Sequence, residues 1–294
     1  MLRRRDAIPA LLFAAFLASV DRAEAQIVIP NHMHDALSFE MHSVRDEVTV
    51  YVGDAPELLR LEARPLGVPP RVDFHAGRKA TLRVRDLTLF DEIPEPDPVY
   101  LDGDEYFDDP NAPVPEAQRW EVRLSPSGPT RFLLYTEEGK GTFDLTDLPV
   151  EEMHIVGDSA EVRVDFSRPN LVDLRRCQIT VTGGSLEFRD LLHAKPKSIT
   201  VQCIRSECDI QVTGKRFTGE VELYVEGAAK KVEMTLSRKV GVRVEGPATL
   251  VARFDAKHMR RQGKSLTSEG YSENPCKVLV HVSESIRKLD VRWD

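Results

Sequence analysis

Eight histidines, 48 acids and four cysteines are the residues of this chain with the most obvious chemistry. The histidines stand at 32, 34, 42, 75, 154, 193, 258 and 281. None sits beside a GxSxG elbow or a glycine-flanked cysteine, and none forms an HExxH pair. His32-Met33-His34 with His42 is their one cluster. Two imidazoles two residues apart share a strand face and can ligate a transition metal. Histidines in such an N-terminal stretch are far more often solvent-exposed, so no metal is assigned. Asp158, Asp165, Asp173, Asp190 and Asp209 place acids in successive segments, as sugar-cleaving β-helix enzymes do. General acid–base work needs two carboxylates at a fixed separation in a cleft. These five fall at different register positions, several beside turn residues where Asp bonds local backbone. Structural roles are expected for them. Phosphate-cradling loops of the GxxxxGK[ST] or GxGxxG type are absent. No catalytic residue and no cofactor are assigned.

The cysteines are Cys177, Cys203, Cys208 and Cys276. There is no CxxC and no histidine at zinc-ligand spacing. In an exported protein an even count permits disulfides, and four cysteines allow three pairings. Cys203–Cys208 is favoured because the four residues between them read as a corner joining two strands. Cys177 is then left with Cys276. Buried thiols serving as small apolar fillers are the competing reading.

Compartment is read from residues 1–25. Arg3, Arg4 and Arg5 precede an apolar stretch from Ala7 to Val20, and Ala23-Glu24-Ala25 supplies a small-x-small cleavage pattern. A secretory signal ending at Ala25 is expected, with Gln26 as the mature N-terminus. The stretch is shorter than the ~18 apolar residues that cross a bilayer, and no later one is apolar enough to span. The mature chain is expected to be soluble, periplasmic or secreted. Without residues 1–25 the chain keeps 36 basic and 45 acidic residues, a net of −9. That balance disfavours nucleic acid, whose phosphates require Lys and Arg to displace counterions.

The mature chain divides by composition. Residues 26–90 hold short alternating runs, such as Val48-Thr49-Val50-Tyr51-Val52 and Thr81-Leu82-Arg83-Val84, which read as half-buried strands. Residues 91–118 carry ten acids, six prolines and no Lys or Arg, and read as a solvated loop. Asp102-Gly103-Asp104-Glu105 with Asp108-Asp109 offers oxygen ligands to calcium but lacks EF-hand spacing. Within 119–294, alternating segments begin near Phe132, Met153, Ile179, Ile199, Val221 and Val240. A second set lies between them at Phe143, Val162, Leu186, Ile210, Val232 and Leu250. Two short strands per unit of about 20 residues is the pattern of a stacked solenoid. The expected fold is all-β, a single-stranded-type β-solenoid of about six two-strand repeats, capped by N-terminal and C-terminal strands. Inward positions such as Val162, Ile179, Val201 and Val242 are aliphatic, and outward ones such as Arg163, Thr180, Gln211 and Arg243 are polar. Gly157, Gly183-Gly184, Gly214, Gly227 and Gly246 are expected at corners, where a residue lacking Cβ accepts positive φ. A β-sandwich is the alternative.

The order of several short motifs resembles the toast-rack family of exported bacterial proteins, and the C-terminal part of cell-envelope stress-response regulators. The motifs are Arg119-Trp120-Glu121-Val122-Arg123-Leu124, Gly139-Lys140-Gly141-Thr142-Phe143, Ile155-Val156-Gly157-Asp158 and Phe166-Ser167-Arg168-Pro169-Asn170. Val240-Gly241-Val242-Arg243-Val244-Glu245 and Gly270-Tyr271-Ser272 continue the series. The resemblance implies an envelope-associated binding or structural role without catalytic residues. Three functions are therefore carried forward. The first is a non-catalytic scaffold that binds an envelope protein or itself. The second is a β-helix hydrolase or lyase acting on polysaccharide, and the third is a calcium-dependent adhesin.

Overall fold

The computed structural model describes residues 25–31, 34–54, 56–64, 70–85, 117–214, 218–247, 258–286 and 288–294. The expected signal except for Ala25, the acidic loop except for its last two residues, His32 and Leu250 lie outside these. Among the described residues the chain is all-β, with two large sheets and one short 3-10 helix, Leu191–Ala194. Neither sheet closes into a barrel.

The centre of the molecule repeats one move. A strand in the first sheet is followed, after a two- to four-residue corner, by a strand in the second, and the chain then returns to the first sheet. The first-sheet strands are β8 (Thr130–Glu137), β10 (Val150–Asp158), β12 (Arg176–Thr182), β14 (Ser198–Ile204) and β16 (Gly219–Glu226). Each is parallel to the next and in register, so Leu134, Ile155, Ile179, Val201 and Val225 form one buried row. Their second-sheet partners are β9 (Lys140–Asp144), β11 (Glu161–Asp165), β13 (Ser185–Arg189), β15 (Glu207–Val212) and β17 (Lys231–Leu236), also parallel throughout. Phe143, Val164, Phe188, Ile210 and Met234 make the facing buried row. Strict alternation along each strand, as in the buried–intermediate pattern of β14, sends one side chain in and the next out. The two inner rows meet in one continuous apolar core.

The corners stack as well. At six successive levels the first residue after the first-sheet strand has positive φ: Arg45, Glu138, Ser159, Gly183, Arg205 and Gly227. Backbone bonds run from level to level there, including Ser159 N–H to the Thr182 carbonyl (2.6 Å) and Gly183 N–H to that of Ile204 (2.8 Å). Only two of the six are glycine. The expected glycine corners are corrected accordingly. Gly157 lies inside β10, where a Cβ would meet Val162 Cγ2 at 2.7 Å, and neither Gly214 nor Gly246 has positive φ. The opposite corner is latched by buried Asn170. Its amide donates to the Val150 and Ala194 carbonyls (2.7 and 3.3 Å), and its Oδ1 accepts from Val150 N–H (3.1 Å).

Both ends depart from the simple sequence. At the N-terminal end β2 (Ala36–Val44) pairs with β8 and β3 (Glu47–Val52) pairs with β9, so residues 26–90 and 119–294 share both sheets. Outside β2 come β6 (Lys79–Arg85) and β5 (Arg71–His75). Outside β3 come β7 (Arg119–Leu124), β4 (Glu57–Arg64) and β1 (Ala25–Pro30). At the other end the strand beside β16 is not β18 (Gly241–Glu245), as the Val240 segment led one to expect. It is β21 (Cys276–Val282), with β18 beyond it. An antiparallel hairpin, β19 (Met259–Gln262) and β20 (Ser265–Ser268), finishes the first sheet. In the second sheet β22 (Leu289–Trp293) pairs with β17 and is outermost.

Candidate functional site

A filled interior moves attention to the outer faces, and they differ sharply. On the second sheet most outward positions are charged, and many are paired along or across the strands. Arg119 meets Glu47 (2.9 Å), Arg163 meets Glu187 (3.7 Å), and Glu233 accepts from both Lys231 (2.6 Å) and Arg292 (2.9 Å). Exposed pairs of this kind contribute little stability singly, but they leave a mosaic of both signs.

The outer face of the first sheet is different. From β8 to β16 one outward row reads Leu133, His154, Gln178, Thr200, Tyr224. The adjacent row reads His42, Tyr135, Val156, Thr180, Gln202 from β2 to β14. Neither row holds a carboxylate, Lys or Arg. Partial burial, followed by the positive charges of Arg131 and Arg176, pushes His154 below the usual imidazole value, so it is neutral at physiological pH. Aromatic contacts stiffen both ends of this stripe. His42 and Tyr135 meet edge-on with centroids 4.4 Å apart, and Tyr224 stacks on His281 at 4.6 Å. Charges resume at the margins, with Arg131, Glu152 and Arg176 on one side and Glu137 and Asp158 on the other. Each row spans five strands, about 19 Å at about 4.8 Å per spacing, and is bounded by a carboxylate, Glu40 beside Leu133 and Glu226 beside Gln202. Tyr135 and Tyr224 are 89 residues apart in the chain, and only the register shows that they share a face.

The cysteines resolve in part as expected. Cys203 and Cys208 form a disulfide across the corner between β14 and β15. Cys177 and Cys276 are buried free thiols, so their pairing is corrected. β12 and β21 are separated by β14 and β16, which puts the two thiols about 14 Å apart across the strands alone, well beyond disulfide reach. Burial raises both thiols, Cys276 to about 11 and Cys177 further, which makes them inert fillers.

Among the acids singled out, Asp158 faces Glu137 and Asp209 faces both Glu187 and Glu233 across the ladders, while Asp165 faces Asp144 of β9. Burial first, then Asp144 and Asp190, raise the Asp165 carboxyl above the ordinary value. Asp190 accepts from Thr213 Oγ1 (2.7 Å), a local structural bond. Asp158 lies on the first sheet and Asp209 two strands beyond Asp165 on the second, so the five do not converge. His34 accepts a bond from Ser127 N–H (3.3 Å). Among the described residues no group of three or more His, Cys, Asp or Glu is placed to hold a metal. A depression of about 490 Å³ lies beside Glu245, Lys264, His281 and Ser283, away from Asp165.

Comparison with known proteins adds little. No family model matches the chain, and no curated protein matches it. Among solved structures it is similar to a protein of Clostridium sporogenes described as a putative cell adhesion protein. The identity is 10% and the TM-score 0.40, over 92% of this chain and 99% of that one. A likeness so loose bears on neither fold nor role.

Proposed function

We propose that this chain is a non-catalytic, exported scaffold of the β-solenoid type. Its levels of roughly twenty residues stack around an aliphatic core, and its surface binds an envelope protein or a second copy. The observation that carries this reading is the contrast between the two outer faces. A flat, uncharged stripe with aromatic ends and charged margins has the layout of a protein-binding surface, with an apolar or neutral centre and a polar rim. The leader-like residues 1–25 and the Cys203–Cys208 disulfide support an oxidising compartment outside the cytoplasm. The order of short motifs supports placing the chain beside the toast-rack proteins.

The test is site-specific photo-crosslinking in intact cells. A crosslinker at Gln178 or Thr200, on the stripe, is expected to give one discrete protein adduct, while one at Thr142, on the charged face, gives none. Equal labelling from both faces, or none from either, would reject the stripe as the contact surface. The Asp144–Asp165 pair keeps a second reading open, cleavage of a polysaccharide. That reading requires sugar release by the wild-type protein and its loss in Asp165→Asn.

A further inference from the structure

Four strands end the two sheets, and each leaves one row of backbone N–H and C=O groups without a strand partner among the described residues: β1, β22, β5 and β19. Edges of this kind attract other strands unless charge, proline or a cover protects them. Three of the four carry charges. β22 has Asp290 and Arg292, β5 has Arg71 and Asp73, and β19 has Arg260 and Arg261. β1, with the sequence Ala-Gln-Ile-Val-Ile-Pro, has no charged side chain, and its one expected charge is the α-amino group of Gln26 after cleavage at Ala25. Its outward Val28 is 44% exposed, one of the most exposed large apolar side chains among the described residues. Protection is confined to one end, where the register shifts between Ile29 and Pro30 and proline has no N–H to offer.

From this difference we infer that β1 is a self-pairing edge, and that two copies of the chain join antiparallel through it into one continuous sheet. Three features favour a second copy as the occupant. An antiparallel pair of identical strands pairs Gln26 with Val28 when the two-fold axis passes at Ile27, or Ile27 with Ile29 and Gln26 with Pro30 when it passes at Val28, so no like-charged side chains oppose. Such a contact uses the same patch on both partners and closes on itself, burying the edge of each. The third feature is geometric. Beyond the level of β2 and β3 the second sheet continues for three strands (β7, β4, β1) and the first for two (β6, β5). β1 therefore projects one strand beyond the charged edge of β5, which is set back from the contact. A single strand pair is a small interface, so a reversible dimer is expected rather than an obligate one.

The inference rests on the scaffold reading and names one partner for it. It concerns an edge of the second sheet, not the stripe on the first, so it can fail while the crosslinking result stands. The experiment is sedimentation velocity on the purified protein, as recovered from cells, at concentrations up to about 100 μM, with Val28→Lys, Val28→Glu and an equimolar mixture of the two. The wild type is expected to sediment with twice the monomer mass at the upper concentrations. Each single variant, with like charges beside the axis, is expected to stay monomeric. The mixture is expected to recover the doubled mass. Val28 is half-exposed, and an unchanged melting temperature in both variants shows that folding is intact. A wild type that stays monomeric overturns the inference, as does a Val28→Lys protein that still dimerises.

Discussion

Asp209 shows how a charged ladder distributes strain among its members. Glu187, Asp209, Glu233 and Asp290 are successive neighbours on the outer face of the second sheet. Glu233 is relieved, because hydrogen bonding from Lys231 with help from Arg292 holds its carboxyl below the usual value. Asp209 is not: burial first, then Glu187 and Glu233, raise its carboxyl above the reference of 3.8. A carboxyl raised in the folded state costs stability once ionised. That cost is present above the folded value, shrinks as pH falls through it, and is gone below the unfolded value. Asp209→Asn is therefore expected to melt higher than wild type at pH 7. Like charges across a ladder cost roughly 0.5 kcal/mol, which corresponds to about 1–2 °C for a chain of this size. The two melting curves are expected to converge below about pH 3.5, where both side chains are neutral. A variant that melts lower than wild type at pH 7 would show that Asp209 is held by attraction rather than strained.

At the scale of elements, strand interiors were legible in the sequence and strand neighbours were not. Val162-Arg163-Val164 and Ile179-Thr180-Val181 announce their alternation within a few residues, and the structure buries Val162, Val164, Ile179 and Val181. The contact of His42 with Tyr135, or of Tyr224 with His281, depends on register between segments far apart in the chain, which no local pattern reports. The neutral stripe was invisible for the same reason. Corners were half legible, because glycine marks only Gly183 and Gly227 among the six stacked left-handed positions. Arg45, Glu138, Ser159 and Arg205 occupy the same conformation without its residue signal. The left-handed region costs a non-glycine residue about 1 kcal/mol, and this yields opposite outcomes at adjacent levels. Ser159→Gly is expected to raise stability by roughly 0.5–1 kcal/mol, and Gly183→Ala to lower it by about 1 kcal/mol or more. Urea unfolding of the two variants checks both signs. A destabilised Ser159→Gly would mean that the stacked corner bonds, not backbone strain, govern these positions.

At the scale of the whole molecule, the stack resembles a repeat array in the middle and an interlocked structure at its ends. In a simple array each level touches only its neighbours in sequence, so losing the last level costs little more than one interface. Here β7 lies between β3 and β4, and β21 lies between β16 and β18. The last strand of the first sheet to be synthesised therefore occupies an internal position. Its Val278 and Val280 are fully buried, and it is parallel to β16 on one side and β18 on the other. Ending the chain before Cys276 would remove that strand and β22 together. β18 and the β19–β20 hairpin would lose their attachment, and the row containing Val221, Leu223 and Val225 would lose its next neighbour. The prediction is a cooperative loss larger than end fraying: a fall in melting temperature of more than about 10 °C, the response of a chain this size to several kcal/mol. Rapid proteolysis within 218–247 is expected to accompany it. Circular dichroism melts and limited proteolysis of the shortened chain beside the full one decide the matter. A shortened chain that melts within a few degrees of the full one would show that its C-terminal strands lie outside the cooperative unit, as they would in an array stacked strictly in chain order.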